Sequence, residues 1–140
     1  MNTPDTAPAA ARRDQGRRLR ARAQGARTDE LGAALAAVDP DLLEWADSFI
    51  FGEVWSTDGL GFEDRMMVAI TALAVRGDVQ QLRTYLHGAL QAGIDPVRIR
   101  ESLKMLVVYA GFPTAIKALA AFGDVLATHE RHAPGPESGA

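Results

Sequence analysis

Twice in this chain an aspartate and a proline stand together at the head of an apolar segment. Asp39-Pro40 precedes DLLEWADSFIFGEVW, and Asp95-Pro96 precedes VRIRESLKMLVVYA. An aspartate at a helix cap accepts a hydrogen bond from an N–H that the first turn leaves unsatisfied. Proline at the first helical position loses nothing, because its missing N–H would have had no intrahelical partner. Glycine supplies the stops: Gly77 after EDRMMVAITALAV, Gly93 after VQQLRTYLHGALQA, and Gly111 after the segment that Asp95-Pro96 opens. Asp78 is placed to cap VQQLRTYLHGALQA, Gly59 and Gly61 interrupt the chain ahead of EDRMMVAITALAV, and Phe112-Pro113 begins a last helix over TAIKALAAFGDVLA. No convincing strand lies between these marks. The fold class predicted is all-α, with about six helices joined by short turns.

A chain of 140 residues is long enough for one domain that buries roughly two-thirds of its unfolded surface. Residues 1–10 and 129–140 hold too little apolar surface to offset the entropy of ordering and are expected to be disordered tails. That leaves a single helical domain over 11–128 with an arginine-rich N-terminal segment. The chain has no cysteine, which excludes disulfides, thiolate metal sites and a cysteine nucleophile. The N-terminus lacks the apolar core of a secretory signal, and no run approaches the ~18 apolar residues of a membrane span. A cytoplasmic protein without a membrane partner is expected.

The net charge of −3 conceals an asymmetry. Arg12, Arg13, Arg17, Arg18, Arg20, Arg22 and Arg27 face Asp14 alone in their segment, so the rest of the chain is acidic. Such a run neutralises phosphates, forms a solvated helix face, or packs on an acidic neighbouring subunit. It contains no aromatic residue to stack on bases, and nucleic-acid binding is not expected.

Two segments are apolar on more than one face. MMVAITALAV carries no charge, and LKMLVVYA carries only Lys104. A helix that is apolar all round must be buried, which a small helical monomer rarely achieves twice. A homo-oligomer whose partner covers the excess is expected, the alternative being one central helix wrapped by the others.

Chemistry-bearing side chains are few. Residues in a helix follow one another by ~100°, so Leu82, Leu86, Ala89 and Leu90 form one stripe with Tyr85 on its flank. His87 falls on the far side and either faces solvent or reaches a neighbouring element. Glu53 stands between Phe51 and Trp55, a setting that would desolvate its carboxylate and suit it to acid catalysis, unless Arg65 or another base holds it in a salt bridge. Arg65 is either an ion-pair partner or a clamp for a substrate carboxylate. Tyr109 closes an apolar run, packing in the core or offering its hydroxyl to a pocket. No phosphate-binding glycine loop and no spaced set of metal ligands is found, so neither metal nor cofactor is expected.

Taken together, FGEVWSTDGLGFEDRMMVAITALA, QLRTYLHGALQAGI and IRESLKMLVVYAGFPTAIKALAAF resemble the carboxymuconolactone decarboxylase family in order and spacing. Gly16, Arg20 and Gly25 match its N-terminal Gly-x3-Arg-x4-Gly pattern, so the resemblance covers roughly residues 14–127. It implies an alkylhydroperoxidase-like helical fold assembled as a trimer or hexamer. The family's peroxidase branch uses a Cys-x-x-Cys pair that is absent here, so a thiol peroxidase is excluded. Decarboxylases of the family carry glutamate at Gln81, histidine at Tyr85 and commonly arginine at His87, whereas Glu53 and Arg65 match. The resemblance implies a carbon–carbon lyase or proton-transfer isomerase acting on a small carbonyl-bearing acid or lactone. Glu53, Tyr85 and His87 are then its catalytic candidates, and Arg65, Trp55 and Tyr109 its substrate-binding ones. A noncatalytic small-molecule-binding or assembly protein of the same fold is the alternative.

Overall fold

The computed structural model describes residues 8–133, and among these the chain is helical without a strand. Residues 1–7 and 134–140, most of the two expected tails, lie outside the described residues. The described chain forms two compact units that divide between Met66 and Met67.

The first unit begins with α1 (Ala9–Gln24), a short 3-10 turn (Gly25–Arg27) and α2 (Thr28–Val38). Next comes α3 (Pro40–Trp45), which continues directly into a π-helical segment, Ala46–Val54. Asp39 caps α3 as expected, its carboxylate accepting the Asp41 N–H at 2.9 Å. The π segment makes wider turns than an α-helix, so Trp55 N–H reaches back to the Ile50 carbonyl at 2.9 Å.

What α1 packs on is this π segment. The two backbones meet where glycine removes the obstacle. A Cβ placed on Gly16 would lie 1.7 Å from the Asp47 carbonyl oxygen, and one on Gly52 would lie 2.9 Å from the Arg12 carbonyl oxygen. One turn beyond Gly16, the buried Arg20 donates from Nε to Asp47 Oδ1 at 2.6 Å. Its Nη1 donates to the Thr28 carbonyl at 2.9 Å, to Thr28 Oγ1 at 3.0 Å and to Gln24 Oε1 at 3.2 Å. Arg20 therefore ties α1 to both the π segment and the start of α2. Removing one partner from such a pair leaves an uncompensated buried charge, at a cost of about 3–5 kcal/mol.

The second unit holds the rest of α4 (Phe62–Arg76), then α5 (Val79–Gln91), α6 (Pro96–Lys104), the short α7 (Leu106–Tyr109) and α8 (Phe112–His132). Here apolar packing dominates. The α5 stripe of Leu82, Leu86, Ala89 and Leu90 is buried as expected, and α5, α6 and α7 all pack on α8. That helix buries Ala115, Ala118, Ala121, Phe122 and Val125, its small alanines permitting close approach.

Several helix ends follow the sequence and others depart from it. Asp95 accepts the Val97 N–H at 2.9 Å, and Gly77, Gly93 and Gly111 all have positive φ. Asp78 occupies the cap of α5, but its side chain makes no capping bond. The helix expected across 97–110 breaks at Met105, whose N–H turns back to the Ser102 carbonyl, separating α6 from α7. Finally, α8 runs to His132, past the boundary at residue 128.

The two segments read as apolar all round are each buried on one face only. In α4, Met66, Ile70 and Ala74 are buried while Val68 and Val75 remain exposed. Around α7, Val108 and Tyr109 are 73% and 77% exposed, and Phe112, at the start of α8, is 62% exposed.

Candidate functional site

In the first unit, Glu53 stands near the end of the π segment with its side chain 46% exposed. It is not desolvated between its aromatic neighbours. Phe51 turns into the core, while Glu53 turns outward and accepts from Arg12 Nη1 at 2.6 Å. Of the two sequence readings, the salt bridge holds, but its base comes from α1 and not from Arg65. Glycine is the reason this pair forms: the Arg12 carbonyl lies directly over Gly52, which brings the arginine side chain beside the next residue.

Arg65 performs a task that neither reading foresaw. Its Nε donates to the Leu60 carbonyl at 2.9 Å, Nη1 to the Val54 carbonyl at 2.9 Å, and Nη2 to the Thr57 carbonyl at 2.6 Å and Thr57 Oγ1 at 3.1 Å. The guanidinium gathers the loop between the π segment and α4 around itself. Its donors meet backbone carbonyls and a threonine hydroxyl, where sequence offered a carboxylate partner.

An aromatic ladder crosses that loop. The half-buried Trp55 has its ring centroid 5.0 Å from Phe51 and 6.2 Å from Phe62. Arg22, from α1, lies over the Phe62 ring with Cζ 3.9 Å from the centroid. The remaining arginines of the segment pair mostly with acids of their own unit. Arg13 meets Glu44 at 3.4 Å, Arg17 approaches Asp47 at 4.0 Å and Arg27 meets Glu30 at 3.6 Å. Acids of this chain therefore receive several arginines of the segment, whose readings from sequence included an acidic neighbouring subunit. Arg12, Gly16 and Arg20 recur every four residues on one helix face, a spacing that could have marked this packing in the sequence.

In the second unit, Tyr85 and His87 are both half-buried on α5. Tyr85 flanks the buried stripe without entering it, and His87, two residues on, lies ~200° around the helix from it. Tyr109 is exposed at the end of α7, so it does not pack in the core. Among the described residues, no three of His, Asp and Glu are grouped to hold a metal ion. No helix among them is long and apolar enough to cross a membrane.

A helical chain with this run of glycines, aromatics and polar residues meets its match among known proteins. The sequence model of the carboxymuconolactone decarboxylase family matches residues 40–124, and the chain belongs to that family. It is 30% identical over 79 residues to a 4-carboxymuconolactone decarboxylase of Acinetobacter baylyi, covering 56% of this chain and 59% of that protein. To a nitrosuccinic acid decarboxylase of Metarhizium robertsii it is 28% identical over 78 residues, or 56% of this chain and 52% of that one. It is also 32% identical over 85 residues to an uncharacterized 15.0 kDa protein of Paracoccus denitrificans, 59% of this chain and 60% of that protein. The matched stretch thus spans between about half and three-fifths of these relatives. The whole arginine-rich segment, Arg12 to Arg27, precedes the part that the family model matches.

Proposed function

We propose that the protein is a cofactor-independent enzyme of the decarboxylase type, acting on a small carbonyl-bearing or similarly activated acid or lactone. Loss of a carboxyl group breaks a carbon–carbon bond and releases carbon dioxide. The electron pair left behind delocalises onto an oxygen of the activating group, and a proton must then return to carbon. Tyr85 is the proposed proton donor and enolate stabiliser, because a phenol at neutral pH gives up a proton far more readily than it accepts one. The resulting phenolate regains its proton from water. Glu53, held by Arg12, is the proposed acid/base carboxylate, and His87 a second proton carrier. Isomerisation by the same proton transfers is the variant of this chemistry in which no carbon dioxide leaves.

One observation carries the reading. Tyr85 is half-buried beside the Leu82–Leu86–Leu90 stripe, at the position where the family's decarboxylases place their histidine, in a helix inside the matched stretch. Carbon dioxide release from 4-carboxymuconolactone and from nitrosuccinate, the acids named for two relatives, is the assay. Tyr85→Phe keeps the ring and removes the hydroxyl, so we expect folding nearly unchanged and kcat/KM lower by ~10²-fold or more. Equal kcat/KM in the variant removes Tyr85 from the mechanism. Release from neither acid by the unaltered protein overturns the decarboxylase reading.

The same proposal includes a homo-oligomer, a trimer or hexamer, working in the cytoplasm. The exposed run of Met105, Val108, Tyr109, Phe112 and Ile116 supports it. Aromatic side chains offer ~150–250 Å² each when buried, so this run alone amounts to several hundred Å². An exposed apolar patch of ~300–600 Å² is often an interaction surface. Sedimentation that gives a stable monomer at micromolar concentration defeats this part.

A further inference from the structure

The resemblance to decarboxylases assigns the substrate's carboxylate to Arg65, yet Arg65 is committed to three backbone carbonyls of its loop. Another cation in the same unit is better placed for that task. Arg22 is exposed, and whereas Arg12, Arg13, Arg20 and Arg27 pair with acids, it has no ion-pair partner among the described residues. Its guanidinium rests on Phe62, 3.9 Å from the ring centroid, and Phe62 stands next to the half-buried Trp55 at 6.2 Å. We propose that Arg22 binds the carboxylate of a flat organic acid whose body lies against Trp55 and Phe62. The inference rests on the reading of the protein as an enzyme of small acids, and it names the residue that recognises their charge.

Stacking on an aromatic face fixes the plane of a guanidinium and leaves its N–H edge directed outward, the geometry that grips a carboxylate through two parallel hydrogen bonds. The stacked side chain has already lost much of its rotamer freedom, so less is lost again on binding. The aromatic ladder supplies what such an acid needs beyond charge. Phe51, at 2% exposure, packs against Trp55, while Trp55 itself keeps part of its surface accessible.

The open loop agrees with this placement. Gly59 and Gly61 lie in the loop just ahead of Phe62, and a Cβ at either would meet nothing within 4 Å, so the loop there is open. Phe62 is the first residue of the 15-residue α4, whose N-terminus carries the positive end of the helix dipole and favours an anion. Glu63 and Asp64 follow Phe62 by ~100° and ~200° around the helix, and so project from other faces. Arg65 ties the loop together through three of its backbone carbonyls. In this arrangement Arg65 is the positioning residue and Arg22 the one that touches substrate.

Binding is measured on the full-length protein by calorimetry and by the fluorescence of Trp55 in a Trp45→Phe background. Benzoate and benzamide serve as flat probes of nearly equal shape, one charged and one neutral. We expect benzoate to bind at least tenfold more tightly than benzamide, and Arg22→Met to abolish that preference without lowering Tm. Arg22→Lys, which keeps the charge and loses the planar fork, should recover only part of it. An unchanged preference in Arg22→Met overturns the inference, and so does a wild-type protein that fails to distinguish the two probes. Turnover of 4-carboxymuconolactone and nitrosuccinate is assayed in parallel to separate the two claims. Preferential benzoate binding with no turnover upholds Arg22 and removes the decarboxylase reading, whereas turnover with an unchanged KM in Arg22→Met does the reverse.

Discussion

The contact of α1 with the π segment and the contact of α5 with α8 solve the same problem by opposite means. Between α5 and α8 the fit comes from a leucine stripe set against alanines, an arrangement that many apolar residues of similar volume would satisfy. Between α1 and the π segment the fit comes from Gly16 and Gly52, where backbones almost touch, and from the buried Arg20–Asp47 pair. Apolar burial is non-directional and tolerant. A buried ion pair with a glycine crossing accepts one register only, because a shift of one residue separates the charges and drives a Cβ into a carbonyl. The first contact is therefore suited to placing particular side chains, and Arg12 and Arg22, on the two sides of that crossing in sequence, are the ones it delivers.

The largest effect that tests this contrast is expected from Asp47→Ala, which leaves Arg20 charged and buried. It should lower the unfolding free energy by about 3–5 kcal/mol. Leu86→Ala in the other contact should cost a comparable 2–5 kcal/mol by cavity formation. The two differ in their repair. Arg20→Met combined with Asp47→Leu is expected to recover most of the loss, since replacing both charges by apolar groups is often neutral or stabilising, whereas Leu86→Ala is not mended by any charge change. Chemical denaturation of the three variants measures this, and a double variant no better than Asp47→Ala would show that the pair is indispensable for packing.

Next in size is Gly16→Ala. Its Cβ would meet the Asp47 carbonyl oxygen at 1.7 Å, so α1 must move away. Overpacking of this kind typically costs about 1–3 kcal/mol and occasionally more. Hydrogen exchange should quicken in α1 and the π segment while α5 and α8 keep their protection. Uniform quickening throughout the chain would erase the distinction between the two contacts.

The smallest stability effects sharpen the comparison most. Arg12→Ala and Arg83→Ala each remove one partner of an exposed ion pair, with Glu53 at 2.6 Å and Asp124 at 2.9 Å respectively. Each is expected to cost 0–1 kcal/mol. Only Arg12→Ala should also lower kcat, because it releases a carboxylate proposed to take part in proton transfer. Equal activity in the two variants would show that Arg12 is an ordinary surface partner.

Legibility followed the same divide. The α5 stripe was readable because Leu82, Leu86 and Leu90 recur at helical spacing and the helix period alone turns them inward. The placement of Tyr85 on its flank came from the same arithmetic. Sequence marks Glu53 for a salt bridge without saying which base supplies it, and the base is Arg12. Phe51 and Trp55 each lie two residues from Glu53, ~200° around a helix, so they face away from its carboxylate, and of the two readings the salt bridge is the one that forms. The exposure of Val108, Tyr109 and Phe112 could not be read either, since an apolar run predicts burial without saying what does the burying.

By itself, the sequence determined the all-α class, the family, the capped starts at Asp39 and Asp95 and the stops at Gly77, Gly93 and Gly111. These rest on interactions within one helical turn or on a periodicity counted along one segment, and no other part of the chain is needed to specify them. The tertiary structure decided that Arg12 meets Glu53 across 41 residues, that Arg20 meets Asp47 across 27, and that Arg22 rests on Phe62. A charge in the sequence carries no record of its partner. The pairings become defined only when two glycines let α1 settle against the π segment, for only then are the side chains four residues to either side of Gly16 brought to their acids.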